Sequence, residues 1–96
     1  MRYFHRTSLP PDDVLAEADR YFGGRLQVLE SGDRNRAYSG TVGRIDLTVR
    51  AEAGHYTLIT LTTDQVGESE ADKHAKRFLT EVHTRVDSRH VARGAY

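Results

Sequence analysis

The chain has 96 residues, no cysteine and no tryptophan, and its 14 basic residues are balanced by 14 acidic ones. Just over a fifth of the residues are Leu, Ile, Val or Phe, so a folded but thinly cored domain spanning 1–96 is expected. Apolar runs stop at two or three residues, far short of the ~20 that cross a bilayer. The expectation is therefore a chain without membrane span or export address, placed in the cytoplasm. Lack of cysteine removes disulfides, zinc ribbons and thiol nucleophiles, and zero net charge withholds the footprint of a protein that grips a nucleic-acid backbone.

Residues Arg2 to Thr7 alternate Tyr3, His5 and Thr7 against Arg2, Phe4 and Arg6, which suits a short strand. Pro10-Pro11-Asp12-Asp13 then reads as a helix start, with the acids where the helix dipole is positive. Val14, Leu15, Ala18, Tyr21 and Phe22 follow at helical spacing, and Gly23-Gly24 predicts a left-handed stop. From Arg25 to Glu30, Leu26 and Val28 alternate with polar residues in a second strand. The turn formers Gly32 to Asn35 lead into a third strand over Arg36 to Gly40, and the connection to Gly43 calls for positive φ at one or both of its glycines.

Arg44 to Glu52 gives the clearest strand: Ile45, Leu47, Val49 and Ala51 on one side, Arg44, Asp46, Thr48, Arg50 and Glu52 on the other. A hairpin to His55–Thr63 follows. A three-residue loop at Glu52, Ala53 and Gly54 sets Ala51 opposite His55, Leu47 opposite Ile59 and Ile45 opposite Leu61, and gathers the aliphatics on one face. This is preferred over a two-residue loop at Ala53-Gly54, which pairs Val49 with Leu58 and Ala51 with Tyr56. The last element is an amphipathic helix from Ser69 to Val86, with Ala71, Ala75, Phe78, Leu79, Val82 and Val86 in one stripe and Ser69 and Asp72 in a capping-box-like start.

The order β-α-β-β-β-β-α predicts an α+β fold, a single antiparallel sheet of about five strands with both helices on one face. Setting the first strand beside the last lets the final helix pack along the sheet. This order resembles a minimal helix-grip domain and is similar to one repeat of the TATA-box-binding-protein fold, over the whole chain as topology only, with no functional motif of either family. The first resemblance implies a small ligand enclosed between sheet and helix, for which 96 residues leave little spare volume. The second implies an open sheet face turned to nucleic acid.

Catalytic constellations are missing from the pattern. His74 and His83 fall on opposite flanks of the last helix, and His5 and His55 lie near different ends of neighbouring strands. With no His pair at i and i+4, no metal and no cofactor is expected. Ser69, Asp72 and His74 supply the residue types of a hydrolase triad, but Ser69 is better used as a helix cap and no GxSxG elbow accompanies it.

One feature departs from a plain two-sided sheet. Tyr56 and Leu58 fall on the polar face, where they would be ordinary cover residues or a contact surface. The leading expectation is a non-catalytic binding or scaffold module that self-associates through its sheet face or an edge strand, as a homodimer or with a protein partner, through Tyr56, Leu58, Thr48 and Arg50. The alternative is nucleic-acid binding on that face by Arg36, Arg44, Arg50 and Tyr56, disfavoured by the zero net charge. The second alternative is a small ligand in a helix-grip pocket. The stretch with Arg85, Arg89, His90 and Arg93 reads as a basic helix end, and 87–96 as a flexible or partner-docking tail that Val91 and Tyr96 could anchor.

Overall fold

Chain order in the computed structural model is β1 (Arg2–Thr7), α1 (Pro11–Gly23), β2 (Gln27–Ser31), β3 (Asn35–Gly40), β4 (Gly43–Glu52), β5 (Tyr56–Thr63) and α2 (Glu70–Ala92). The structure describes residues 1–65 and 69–92, the stretch 87–92 by its backbone alone. The strands form one antiparallel sheet in the order β1-β5-β4-β3-β2, with the first strand against the last, as the element order predicts. Both helices pack on one face, giving the expected α+β architecture.

Strand alternation puts Ile45, Leu47 and Val49 of β4 and Ile59 and Leu61 of β5 beneath the helices, all essentially buried. Val14, Leu15, Ala18 and Phe22 of α1 and Ala71, Ala75, Phe78 and Val82 of α2 close the core from above. Phe22 is its hub, with its ring 4.9 Å from Tyr38 of β3 and 5.2 Å from Phe78. Asp19 of α1 accepts from the Tyr38 hydroxyl at 2.9 Å, and burial, then this bond, pushes the Tyr38 phenol well above its ordinary pKa.

The hairpin register differs from both sequence-based registers. Leu47 pairs with Leu61, Val49 with Ile59 and Ile45 with Thr63, and the loop is Ala53, Gly54 and His55. The inward and outward sets match the preferred register, because a slide of two residues leaves every side chain on its face. The observed pairing lets the buried hydroxyls of Thr57 and Thr63 reach acceptors, the Leu9 carbonyl at 2.7 Å and Asp72 at 2.9 Å. Gly54 is left-handed as expected (φ 83°), and His55 is left-handed too (φ 65°).

Three other expectations need adjustment. Gly24 is right-handed (φ −86°), so α1 ends without a left-handed cap. Instead the Phe22 carbonyl accepts from the backbone N–H groups of Arg25 and Leu26 at 2.9 and 2.7 Å. Val28 faces the helix side but lies half-exposed on the outermost strand, where a register shift between Val28 and Glu30 interrupts the ladder. α2 runs on to Ala92, past the predicted end at Val86. Arg89, His90 and Val91 therefore lie on helical backbone with side chains outside the described residues, as are Arg93 and Tyr96 altogether.

Candidate interaction face

The sheet face turned away from the helices carries every second residue, and cross-strand pairing arranges these in rows. One row runs Phe4, Thr60, Thr48, Asn35, the next Arg6, Leu58, Arg50, and a third Tyr56, Glu52. On the other side of the Phe4 row lie Arg2, Thr62, Asp46 and Ala37. Phe4 is 62% exposed and Tyr56 51%, with the partly covered Leu58 diagonal to the first and next along β5 from the second.

Three of the arginines on this face are held by carboxylates of the same face. Glu52 accepts from Arg6 Nε at 2.7 Å and from Arg50 Nη2 at 3.3 Å. The Arg6 bond, aided by Arg50 against the cost of burial, holds the Glu52 carboxyl below the usual carboxylate range. Arg44 grips Asp46 through Nε and Nη2 at 2.9–3.2 Å, which raises the guanidinium pKa further.

Five of the sequence-selected residues, Tyr56, Leu58, Thr48, Arg50 and Arg44, share this face. Arg36 does not. It pairs with Leu47, which points its side chain to the helix side. There its Nε donates to Asp19 at 2.9 Å, and its Nη1 to the carbonyls of Asn35 and Gly32. Thus Arg36 fastens β3 to α1 and is unsuited to a contact on the open face. Phe4 and Arg6 were missed as face residues. The alternation of β1 separates them from Tyr3 and His5, but only the pairing of β1 with β5 shows which set lies outside.

On the helix side, the space where a helix-grip ligand would lie is filled by Ile45, Leu47, Ile59, Leu61, Phe78 and Val82. Ser69 is a cap, as predicted: its Oγ accepts from the Asp72 N–H at 3.1 Å and donates to Asp72 Oδ2 at 2.6 Å. Concavities lie instead at the hairpin end of the sheet. One of about 440 Å³ is bounded by Pro10, Pro11, Ala53, His55 and Tyr56, and one of about 300 Å³ by His5, Arg6, Ser8, Tyr56, His83 and Val86.

In the second concavity the His5 and His83 rings meet edge-on, with centroids 6.4 Å apart. Burial, then the neighbouring His83, lowers the pKa of His5. No spacing rule links a residue of β1 with one of α2, so this pair was invisible to the sequence reading. Among the described residues no three metal-ligating side chains cluster, and no helix is long and apolar enough to cross a membrane. In comparisons with known proteins, no family model and no curated protein matches this chain.

Proposed function

We propose that this protein is a non-catalytic, cytosolic binding or scaffold module that pairs with a second copy of itself through the open sheet face. The observation that carries the reading is the conjunction of Phe4, Tyr56 and Leu58 on a face where Arg6 and Arg50 share Glu52 and Arg44 is held by Asp46. A surface on which carboxylates offset most of the arginine charge presents a weakened field to a polyanion, whereas a copy of itself, rotated by a two-fold axis, meets it with the same mixed pattern. Five strands at a spacing of ~4.8 Å and about seven residues in length make a face roughly 24 by 23 Å, of the order a small dimer interface needs. Pairing through the β2 edge is less favoured, since its bulge interrupts the ladder. The cytosolic placement rests on the cysteine-free composition.

Light scattering on the eluting peak of a size-exclusion column tests this reading. Wild type is expected as a dimer at high micromolar concentration and at both low and high salt. Leu58→Asp should weaken the dimer at least about tenfold, because each chain loses an apolar contact and a carboxylate set between Arg6 and Arg50 must give up its water. A wild-type monomer under those conditions overturns the proposal.

Single-stranded nucleic acid is the second reading, favoured by two exposed aromatics on an antiparallel sheet beside the mostly exposed Arg50. Of the residues selected for it, Arg44, Arg50 and Tyr56 remain on the face and Arg36 drops out. Fluorescence anisotropy with a labelled oligonucleotide should then show binding that falls steeply with salt and weakens in Arg50→Ala. Absence of binding at low salt removes this reading.

A further inference from the structure

The two margins of the sheet differ. β2 is interrupted by its register shift, whereas β1 pairs with β5 without a break from Arg2 to Thr7. Next to that run, Met1 and Thr63 exchange both backbone bonds, at 2.8 and 3.2 Å. Alternation along an antiparallel ladder then turns the N–H and C=O groups of Tyr3, His5 and Thr7 to β5, and those of Arg2, Phe4 and Arg6 outward. Among the described residues no hydrogen bond reaches these outward groups. We propose that this margin takes up an acidic, extended peptide as a sixth, antiparallel strand. The peptide sets a carboxylate opposite Arg2, an apolar residue opposite Phe4 and a second carboxylate opposite Arg6.

Charge selects this occupant. The outward backbone groups belong to the residues whose side chains lie on the open face, so an added strand sets every second side chain beside Arg2, Phe4 and Arg6. Arg2 is exposed and makes no ion pair among the described residues. Arg6 holds Glu52 through Nε, which leaves its two Nη groups for a second acceptor, and Glu52 is itself shared with Arg50. The two guanidiniums leave β1 four residues apart, about 14 Å, and carboxylates at the same spacing on a strand ~4.8 Å away meet both. A second copy of β1 is a poor occupant. Turned antiparallel about Phe4, it would set Arg2 against Arg6 twice, and like charges directly opposite each other repel. Stacking two copies through the open face leaves the margins of both sheets open, so the peptide site does not rest on that pairing.

Fluorescence anisotropy of the full chain with the labelled peptide Thr-Glu-Thr-Val-Thr-Glu-Thr tests the site. Binding is expected at low salt, weakening as salt rises. The same peptide with Lys for both Glu residues should bind at least tenfold more weakly. Arg2→Glu should cost the acidic peptide at least tenfold, with circular dichroism verifying that the variant is folded. A methyl group on the Val nitrogen, which points at the Phe4 carbonyl, should abolish binding. On the nitrogen of the Thr that follows, which points to water, it should leave affinity within about twofold. Equal effects of the two methyl groups would place the peptide away from the β1 margin and overturn the proposal. Undiminished binding to folded Arg2→Glu would overturn it as well, as would the absence of binding to wild type at up to about 1 mM peptide.

Discussion

Three hydroxyl groups, from Tyr3, Thr63 and Ser69, donate to the carboxylate of Asp72 at 2.6–2.9 Å, joining β1, β5 and the start of α2 at a residue only 1% exposed. The amino group of Met1 extends this knot by donating to the Thr63 carbonyl and hydroxyl at 3.2 and 3.1 Å. Burial alone would raise the Asp72 pKa, but the Ser69, Tyr3 and Thr63 donors outweigh it and hold the carboxyl below its ordinary value. A carboxyl depressed in the folded state adds stability above the unfolded pKa near 4, and that stability is lost as pH falls through the folded value. Urea unfolding should therefore show stability dropping between pH 5 and pH 3, with a shallower drop in Asp72→Asn. At pH 7, Asp72→Ala should cost about 2–4 kcal/mol, because buried hydroxyls of Tyr3 and Thr63 lose their acceptor. His55 makes the opposite prediction. A side chain at φ 65° is strained, so His55→Gly should raise stability by about 0.5–1 kcal/mol in the same assay.

At the scale of the elements, the β3–β4 turn depends on Gly43, whose φ of 119° is open only to glycine. A Cβ there would lie 2.6 Å from the Asp64 carboxylate, which accepts the Arg44 N–H. Gly43→Ala should lower the urea midpoint, by about 1–3 kcal/mol of stability. This need for positive φ was legible in the Gly40–Gly43 spacing, as were the strict alternation of β4, the acidic proline start of α1 and the cap of α2. Each of these signals is local, and local chemistry suffices to produce it. The hairpin register was not legible, because alternation fixes faces and leaves slides of two residues open. In the observed register Thr57 finds its acceptor in the Leu9 carbonyl before α1, and Thr63 finds its own in Asp72 at the start of α2. The face of Arg36 was obscure for a related reason. Around it β3 reads Asn-Arg-Ala-Tyr-Ser-Gly, without a clean division into apolar and polar sides. The His5–His83 approach depends on how α2 lies over β1, which sequence spacing does not encode.

For the molecule as a whole, a two-layer fold with both helices on one side leaves the other side of the sheet to water or to a partner. Arg6 and Arg50 share Glu52 and Arg44 is matched by Asp46, which leaves these groups with a single net positive charge, and Phe4, Leu58 and Tyr56 give that side apolar contact area. Tyr56 and Leu58 were legible as misfits in a polar row, whereas Phe4 became a candidate only once β1 was paired with β5. Because Phe4 sits on an edge strand, away from the core, Phe4→Asp should keep the circular dichroism spectrum of the folded chain while removing self-association. The most direct measurement is the solution mass of wild type and Phe4→Asp, by light scattering on a size-exclusion column at high micromolar concentration. The open-face account predicts twice the chain mass for wild type at low and high salt, and the single-chain mass for the variant. Equal masses for the two proteins, whether monomer or dimer, would contradict it.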